Sequence, residues 1–199
     1  MPKVSEEHLE NRRRQILDAA ADCFARQGFH GTSMQDIFQA SGLSAGAVYR
    51  YFPSKTELIR AITENALAVT GGVLDRAIAE ATAGNLAAVS IADTITSVVA
   101  TMNSDQLAKV RRVIMHIWAE SSGNPELAEL SATLLGRVTD RIERLLALHA
   151  KAGRLPPDTD TAALARLILA TMQGYIVQYT VLGDANGIAA ASQAVFGDL

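Results

Sequence analysis

Residues Thr32–Leu58 read TSMQDIFQASGLSAGAVYRYFPSKTEL, and this stretch decides the fold of the N-terminal region. Thr32 or Ser33, followed three residues later by Gln35 or Asp36, can cap one short helix, and Ser44 can cap a second. Gly42 favours a left-handed turn between them. Pro53 ends the second helix, because the residue before a proline is displaced from the α region. The stretch therefore predicts two short helices joined by a tight turn.

Longer helices are predicted on both sides of this pair. From Arg12 onwards apolar residues recur at helical spacing, and Gly28 is a stop signal. These apolar residues are Ile16, Leu17, Ala20, Cys23 and Phe24. Ser54–Glu57 forms a capping box that opens a fourth helix, in which Gly71–Gly72 is expected to bend the chain. Only Met1–Asn11 is expected to be frayed.

The third helix has an unusual outer face if Val48 and Phe52 anchor it to the core and Ala40 marks the crossing with the second helix. The outward residues are then Ser44, Ala45, Gly46, Ala47, Tyr49, Arg50 and Tyr51. Consecutive small residues let the backbone approach base edges, whereas the tyrosine hydroxyls and Arg50 suit phosphate oxygens. Lys55 begins the fourth helix, where a cation opposes the helix dipole unless a phosphate binds there. This layout is that of a DNA-binding helix-turn-helix.

Residues Arg12–Ile62 resemble the DNA-binding domain of the TetR/AcrR family. The matches at fixed spacing are Arg13–Ala20, Gly28–Phe29, Gly31–Ser33, Ile37, Ala40, Gly42 and Val48–Leu58. Phe38 and Gln39 depart from the pattern, since the family often has an alanine and a small or charged residue there. The resemblance implies that the DNA backbone is contacted by Thr32 or Ser33, Tyr49, Tyr51 and Lys55. It also implies that the residues on or beside the bases are Gln35, Ser44, Ala45, Gly46, Ala47 and Arg50.

The composition favours helices and limits the kind of nucleic-acid binding. Of the 199 residues 49% are hydrophobic and only 5% aromatic, with alanine and leucine prominent. A net charge of −3 argues against non-specific coating of nucleic acid. Residues 1–63 nevertheless carry +1 and the remainder −4, so a DNA contact is expected near the N-terminus.

The remaining composition predicts a cytoplasmic protein without membrane, metal or cofactor. Cys23 is the single cysteine, which favours core packing in a reducing compartment. The longest apolar segment, Ala162–Leu182, is interrupted by Arg166 and two glutamines, which a membrane span tolerates poorly. His116 and His149 are too isolated to form a metal site.

Beyond the fourth helix the pattern predicts further helices, separated by turn residues near Gly84, Asn103, Gly123, Gly153 and Gly183. Because one helix-turn-helix binds weakly, a two-fold dimer reading a pseudo-palindrome is expected. The apolar faces predicted to form it carry Leu164, Leu167, Ile168, Thr171, Gly174, Gln178 and Leu182, followed by a shorter stretch at Ile188–Phe196. The family resemblance implies that the last two long helices of each subunit pair into a four-helix bundle.

A ligand site is expected in the same C-terminal region, because large polarizable and aromatic side chains commonly line apolar pockets. The candidates are Met102, Met115, His116, Trp118, Met172, Gln173, Tyr175 and Tyr179. Each of them could instead be a core residue. Of these, His116 and Gln173 could orient a bound molecule, and the scarcity of charge favours an apolar effector.

The sequence thus predicts an all-α protein with an N-terminal three-helix helix-turn-helix domain, residues 10–70, whose motif spans about 33–52. A larger helical regulatory and dimerisation domain, residues 71–199, follows it. We expect a homodimeric repressor that a small molecule releases from its operator. A nucleoid or segregation factor without an effector and an activator remain as alternatives. No nucleophile elbow, phosphate-binding glycine loop or zinc spacing indicates an enzyme.

Overall fold

The computed structural model describes residues 6–183, and every regular element in that range is helical. The all-α prediction is therefore confirmed. The α-helices are α1 (Glu6–Gly31), α2 (Met34–Ser41), α3 (Ala45–Tyr51), α4 (Lys55–Glu80), α5 (Ile91–Met102), α6 (Ala108–Ser121), α7 (Pro125–Lys151) and α8 (Thr161–Leu182). A wide turn at Ala81–Asn85 and short 3₁₀ turns at Leu86–Ala88 and Asp105–Leu107 complete the described chain.

The short helices begin and end where the sequence places their caps. Ser33 and Asp36 form a reciprocal capping box at α2, and the Ser44 hydroxyl accepts the Ala47 amide hydrogen at the start of α3. Gly42 adopts φ 68° and closes α2 in the left-handed conformation that glycine alone adopts without strain. These caps are local, because each is formed by residues within a few positions of the helix end.

Helix α1 differs from its prediction at both ends. It begins at Glu6 rather than after Asn11, with Glu6 and Glu7 in the first turn where acidic side chains complement the helix dipole. Gly28 interrupts the helix as expected, with φ 71° and ψ −177°, but one more turn follows to Gly31. This additional turn is hydrogen-bonded to Lys55 of α4 and Glu120 of α6.

The described chain divides into two compact units. The first comprises the residues up to Asn65 together with Arg112–Ser131, and the second comprises Ala66–Arg111 and the residues from Ala132 onwards. The sequence predicts a boundary at residue 70, with all later residues in the second domain. In the structure parts of α6 and α7 belong with the DNA-binding region, because Glu120 is hydrogen-bonded to the end of α1.

Each unit has its own buried residues. In the first unit Ile16, Phe24, Ile37, Val48 and Leu58 are all fully buried. In the second, a continuous core is built from α4, α5, α7 and α8, and its most buried members include Leu74, Ile95, Val99, Ile142, Leu146, Ala165 and Ile168. The apolar residues recur at helical spacing on each of these helices, so each helix has one apolar face that packs in this core.

The bend predicted at Gly71–Gly72 is wrong. Helix α4 runs unbroken from Lys55 to Glu80, and the Arg141 side chain of α7 lies against Gly71. Arg141 Nε donates to Asp75 Oδ1 at 2.9 Å, which fixes α7 on this part of α4. Small residues here allow close packing of a long side chain rather than flexion.

Candidate nucleic-acid interface

Helix α3 exposes the small-residue face that the sequence predicts. Ala45, Gly46 and Arg50 are exposed, and Tyr49 keeps 48% of its surface accessible. Val48 is fully buried and holds the opposite face in the core. Ala47 and Tyr51 are half-buried at the border between the two faces. The helix therefore presents backbone and small side chains outward, with a phenol and a guanidinium beside them.

Three polar residues at the starts of α2 and α3 lie on the surface. Ser33, Gln35 and Ser44 are exposed. Ser33 Oγ donates to Asp36 Oδ2 at 2.6 Å, and this bond together with the Ser33 amide lowers the pKa of Asp36. Ser44 Oγ only accepts, from Ala47 N at 3.3 Å, so its own O–H can still donate to a nucleic-acid oxygen. Of the two serines, Ser44 is chemically better placed to contact DNA.

Thr32 requires a correction. Its side chain is buried, and Oγ1 donates to the carbonyl oxygen of Gly28 at 2.7 Å. The hydroxyl therefore closes the last turn of α1 and does not face a phosphate. Ser33 is the member of the predicted pair that remains accessible.

Lys55 is bound by groups of its own protein, and its contact with the DNA backbone stays a prediction. Its Nζ donates to the carbonyl oxygens of Phe29 at 2.7 Å and Thr32 at 2.8 Å, and it lies 4.2 Å from the centre of the Phe29 ring. Two of its three N–H groups are thus engaged by its own protein. Burial lowers the pKa of Lys55, and the charge of Glu120 opposes that shift. The carbonyl groups of Phe29 and Thr32 therefore stabilise a cation at the start of α4, where the helix dipole opposes it.

Phe38, which departs from the family pattern, packs against Tyr49, one of the predicted DNA-contacting residues. Its ring meets the ring of Tyr49 edge to face, with centroids 5.3 Å apart and planes at 70°. Such pairs stabilise a defined ring orientation. Tyr49 is therefore fixed in position although about half of its surface is exposed.

Ala40 does not lie at the predicted helix crossing. It is exposed, whereas its neighbour Ser41 is buried. Gln15 Nε2 of α1 donates to the carbonyl oxygen of Ser41 at 2.7 Å, and this bond joins α1 to the end of α2. The exposure of Ala40 contradicts its predicted place at the crossing of α2 with α3, and the buried Ser41 beside it contacts α1 instead.

The predicted ligand-lining residues are divided between the two units. Met115, His116 and Trp118 lie on α6 in the first unit and are half-buried, with the His116 ring against Gly28. The members in the second unit are Met102, Met172, Gln173, Tyr175 and Tyr179. Met172 belongs to the core of that unit, and Tyr175 packs against it. A pocket lined by these residues stays a prediction.

A buried polar group that the sequence analysis missed lies beside Met102. Asn103 is 8% exposed, and neither its side-chain nitrogen nor its oxygen has a hydrogen-bond partner among the described residues. Arg111 Nη1 donates to the carbonyl oxygens on either side of it, Met102 at 3.0 Å and Ser104 at 3.5 Å. The guanidinium also lies 4.8 Å from the centre of the Tyr179 ring. An asparagine at a helix end is ordinary in a sequence, and only burial distinguishes this one.

The residues predicted to form the dimer interface lie on two different faces of α8, one buried and one exposed. Ile168 is fully buried and Leu164 packs on the same core, so the prediction that Ile168 contacts a second subunit is wrong. The others, at spacings of three and four residues, share one face: Leu167, Thr171, Gly174, Gln178 and Leu182. Val177 and Val181 are also exposed beside them. The stretch Ile188–Phe196 lies outside the described residues.

The fold and this outer face define a DNA-binding helix-turn-helix protein. The sequence profile of "Bacterial regulatory proteins, tetR family" matches residues 16–62, and that of "BetI-type transcriptional repressor, C-terminal" matches 91–196. The HTH-type transcriptional repressor Rv1474c of Mycobacterium tuberculosis is 28% identical over 98% of this chain and 96% of its own.

Solved structures agree with these matches. GusR of Salmonella enterica has a TM-score of 0.69 at 26% identity, over 98% of this chain and 97% of its own. The SmeT–triclosan complex has a TM-score of 0.75 at 25% identity, over 93% and 91%. The chain belongs to the TetR family of bacterial transcriptional regulators. It is a DNA-binding transcriptional regulator, and members of this family bind operator DNA as dimers.

No helix within residues 6–183 has the length and apolar character needed to cross a membrane. The same range contains no group of three or more His, Cys, Asp or Glu side chains arranged to bind a metal ion.

The structural role of Lys55 can be tested by replacing its charge. We expect Lys55→Met to lower the free energy of unfolding by about 1–3 kcal/mol, because two buried carbonyl groups lose their donor. Arg112→Met, which removes an exposed cation of the same unit, is the control and should change the free energy of unfolding by less than about 0.5 kcal/mol. Urea denaturation followed by circular dichroism measures both. Unchanged stability combined with lost DNA affinity would restore the phosphate interpretation.

Proposed function

We propose that the protein is a cytoplasmic repressor that leaves a pseudo-palindromic operator when a small molecule binds. The observation that carries DNA binding is the outer face of α3, where Ala45, Gly46 and Arg50 are exposed and Val48 anchors the helix. The repressor assignment draws support from the matched profile of BetI-type repressors and from relatives named as repressors.

The chemistry of this face limits how it reads a sequence. Ala45, Gly46 and Ala47 provide no side chain for paired hydrogen bonds to a base, each worth about 1–3 kcal/mol of discrimination. The methyl groups of Ala45 and Ala47 can contact thymine methyls, and the small residues let the helix approach the floor of the groove. Specificity then depends largely on the shape and deformability of the operator.

Arg50 is the charged group of α3, and its contribution can be measured without knowing the operator. We expect Arg50→Gln to weaken binding to a random duplex and to reduce the slope of log K against log salt concentration by about 0.9, the value for one lost phosphate contact. Arg144→Gln, at an exposed position of α7, makes the same change in net charge and should leave the slope unaltered. Fluorescence anisotropy at several salt concentrations measures both slopes. Equal slopes for Arg50→Gln and the unaltered protein would contradict the assignment of α3.

We propose that α8 forms the dimer interface through its exposed face. Leu167 is 58% exposed, and Val181 and Leu182 are more exposed still. Gly174 on the same face lets two backbones approach closely, since nothing lies within 4 Å of its missing side chain. An apolar stripe of this length on one helix is characteristic of a surface that is covered in the assembled protein.

A charge on this stripe should separate the subunits. Because a two-fold interface places each substitution on both subunits, Leu167→Glu is expected to weaken dimerisation about 100-fold or more by burying two unpaired carboxylates. Val69→Glu serves as the control, since Val69 lies on α4 and is 43% exposed. Sedimentation velocity at micromolar concentration should find monomers only for Leu167→Glu. If both variants remain dimers, the interface lies elsewhere.

We propose that the effector binds in the second unit, where Asn103 offers a buried donor and acceptor beside Met102. A buried amide without partners costs free energy, which a bound molecule can offset by accepting one hydrogen bond and donating another. The expected effector is therefore largely apolar with one polar end. The SmeT complex contains triclosan, which supports a small organic ligand in a protein of this fold.

The unpaired state of Asn103 predicts an unusual result. Asn103→Leu should leave the free energy of unfolding of the ligand-free protein unchanged or raise it by up to about 1 kcal/mol, because two unsatisfied groups are removed. Asn124→Leu should lower it by about 1 kcal/mol, since Asn124 Oδ1 accepts the amide hydrogens at the start of α7. Urea denaturation distinguishes the two. A large loss of stability in Asn103→Leu would mean that the amide has a structural partner.

A further inference from the structure

The turn Gly28–Thr32 attaches both ends of the helix-turn-helix to α1. At the first end, Thr32 Oγ1 donates to Gly28 O at 2.7 Å, and α2 begins directly after Ser33. At the second end, Lys55 of α4 donates to the carbonyl oxygens of Phe29 and Thr32. Since α3 lies between α2 and α4, this turn contributes to its position together with the buried Val48.

A carboxylate from a distant part of the sequence binds the same turn. Glu120 of α6 accepts the amide hydrogens of Phe29, at 2.9 Å to Oε1, and His30, at 3.2 Å to Oε2. The His30 ring Nε2 lies 3.4 Å from Oε2. The Glu120 side chain is only 19% exposed, which strengthens hydrogen bonds to a charged acceptor. The carbonyl groups of the turn therefore bind Lys55, and its amide groups bind Glu120.

Gly28 makes this arrangement possible. Its φ of 71° turns the next two amide groups toward a common point, where they form an anion-binding concavity. A Cβ atom on Gly28 would lie 2.7 Å from Glu120 Oε1 and 3.3 Å from His116 Nδ1. The backbone conformation thus requires glycine at this position, and a side chain there would also displace the Glu120 carboxylate.

We propose that Glu120 is a positioning residue for DNA binding, which holds the Gly28–Thr32 turn so that α3 keeps the orientation it needs in the groove. The proposal rests on the proposed function, because it assigns Glu120 a part in presenting α3 to the operator. Glu120 touches no nucleic acid itself. It lowers the conformational freedom of the turn before DNA arrives, so less order has to be gained on binding.

The experiment compares Glu120→Ala and Glu120→Gln with Glu129→Ala in the full-length protein. Glu129 is exposed on α7 in the same unit and serves as the control for the loss of one negative charge. Amide hydrogen exchange at Phe29 and His30 reports the turn directly, and anisotropy with a fixed random duplex reports binding. Circular dichroism at the temperature of the binding assay establishes that each variant is folded.

For Glu120→Ala we expect exchange at both amides to accelerate at least about tenfold and the Kd for the duplex to rise about tenfold. Glu120→Gln retains one acceptor oxygen, so it should protect one amide and produce a smaller rise. Glu129→Ala should match the unaltered protein in both measurements. If Glu120→Ala does not fold, Glu120→Gln decides the question by the same two measurements.

Two results would overturn the proposal. One is accelerated exchange with unchanged duplex affinity, which would mean that the turn does not position α3. The other is weakened binding with both amides still protected, which would mean that Glu120 acts by another route. Failure of the unaltered protein to bind DNA, or an unaltered salt slope in Arg50→Gln, would count against the proposed function instead.

Discussion

The DNA-binding region depends on the short turn that follows Gly28. Its carbonyl groups accept hydrogen bonds from Lys55, and its amide groups donate to Glu120, so opposite charges from two other helices hold one piece of backbone. A helix normally ends with unsatisfied carbonyl groups, and here an ammonium group satisfies them. The left-handed conformation of Gly28 turns the following amides toward the carboxylate. The helix-turn-helix is thereby attached at both of its ends to the same few residues.

This attachment matters for DNA binding because the outer face of α3 consists mainly of small residues. A helix of small residues makes few strong contacts of its own, so binding depends on where the helix is held and on the groups at its sides. Tyr49 is oriented by Phe38, and Arg50 projects freely. Because Ala45 and Gly46 offer few contacts to DNA, holding α3 in position before binding lowers the entropic cost of forming the complex.

Two features of the second unit are unfavourable in a single subunit without ligand. One is the exposed apolar face of α8, and the other is the buried amide of Asn103, which has no hydrogen-bond partner within the described part of the chain. Each is unfavourable in an isolated chain, since apolar surface prefers burial and polar groups prefer partners. A second subunit and a small effector would correct them separately, which is the division of roles expected of a ligand-responsive dimer.

The sequence by itself determined the all-helical fold, a hydroxyl cap at Thr32 or Ser33, the cap at Ser44, the turn at Gly42 and the outward face of α3. These features are local, because a cap or a left-handed glycine acts within a few residues, and periodicity fixes which side of a helix is apolar. Tertiary structure alone decided which groups meet across long separations. It gave Lys55 a partner 23 residues away and the Phe29 amide a partner 91 residues away, and it placed Ile168 in the core rather than on the dimer face. Such pairings depend on how helices pack, and a charge or an isoleucine in a sequence does not reveal which neighbour it will have.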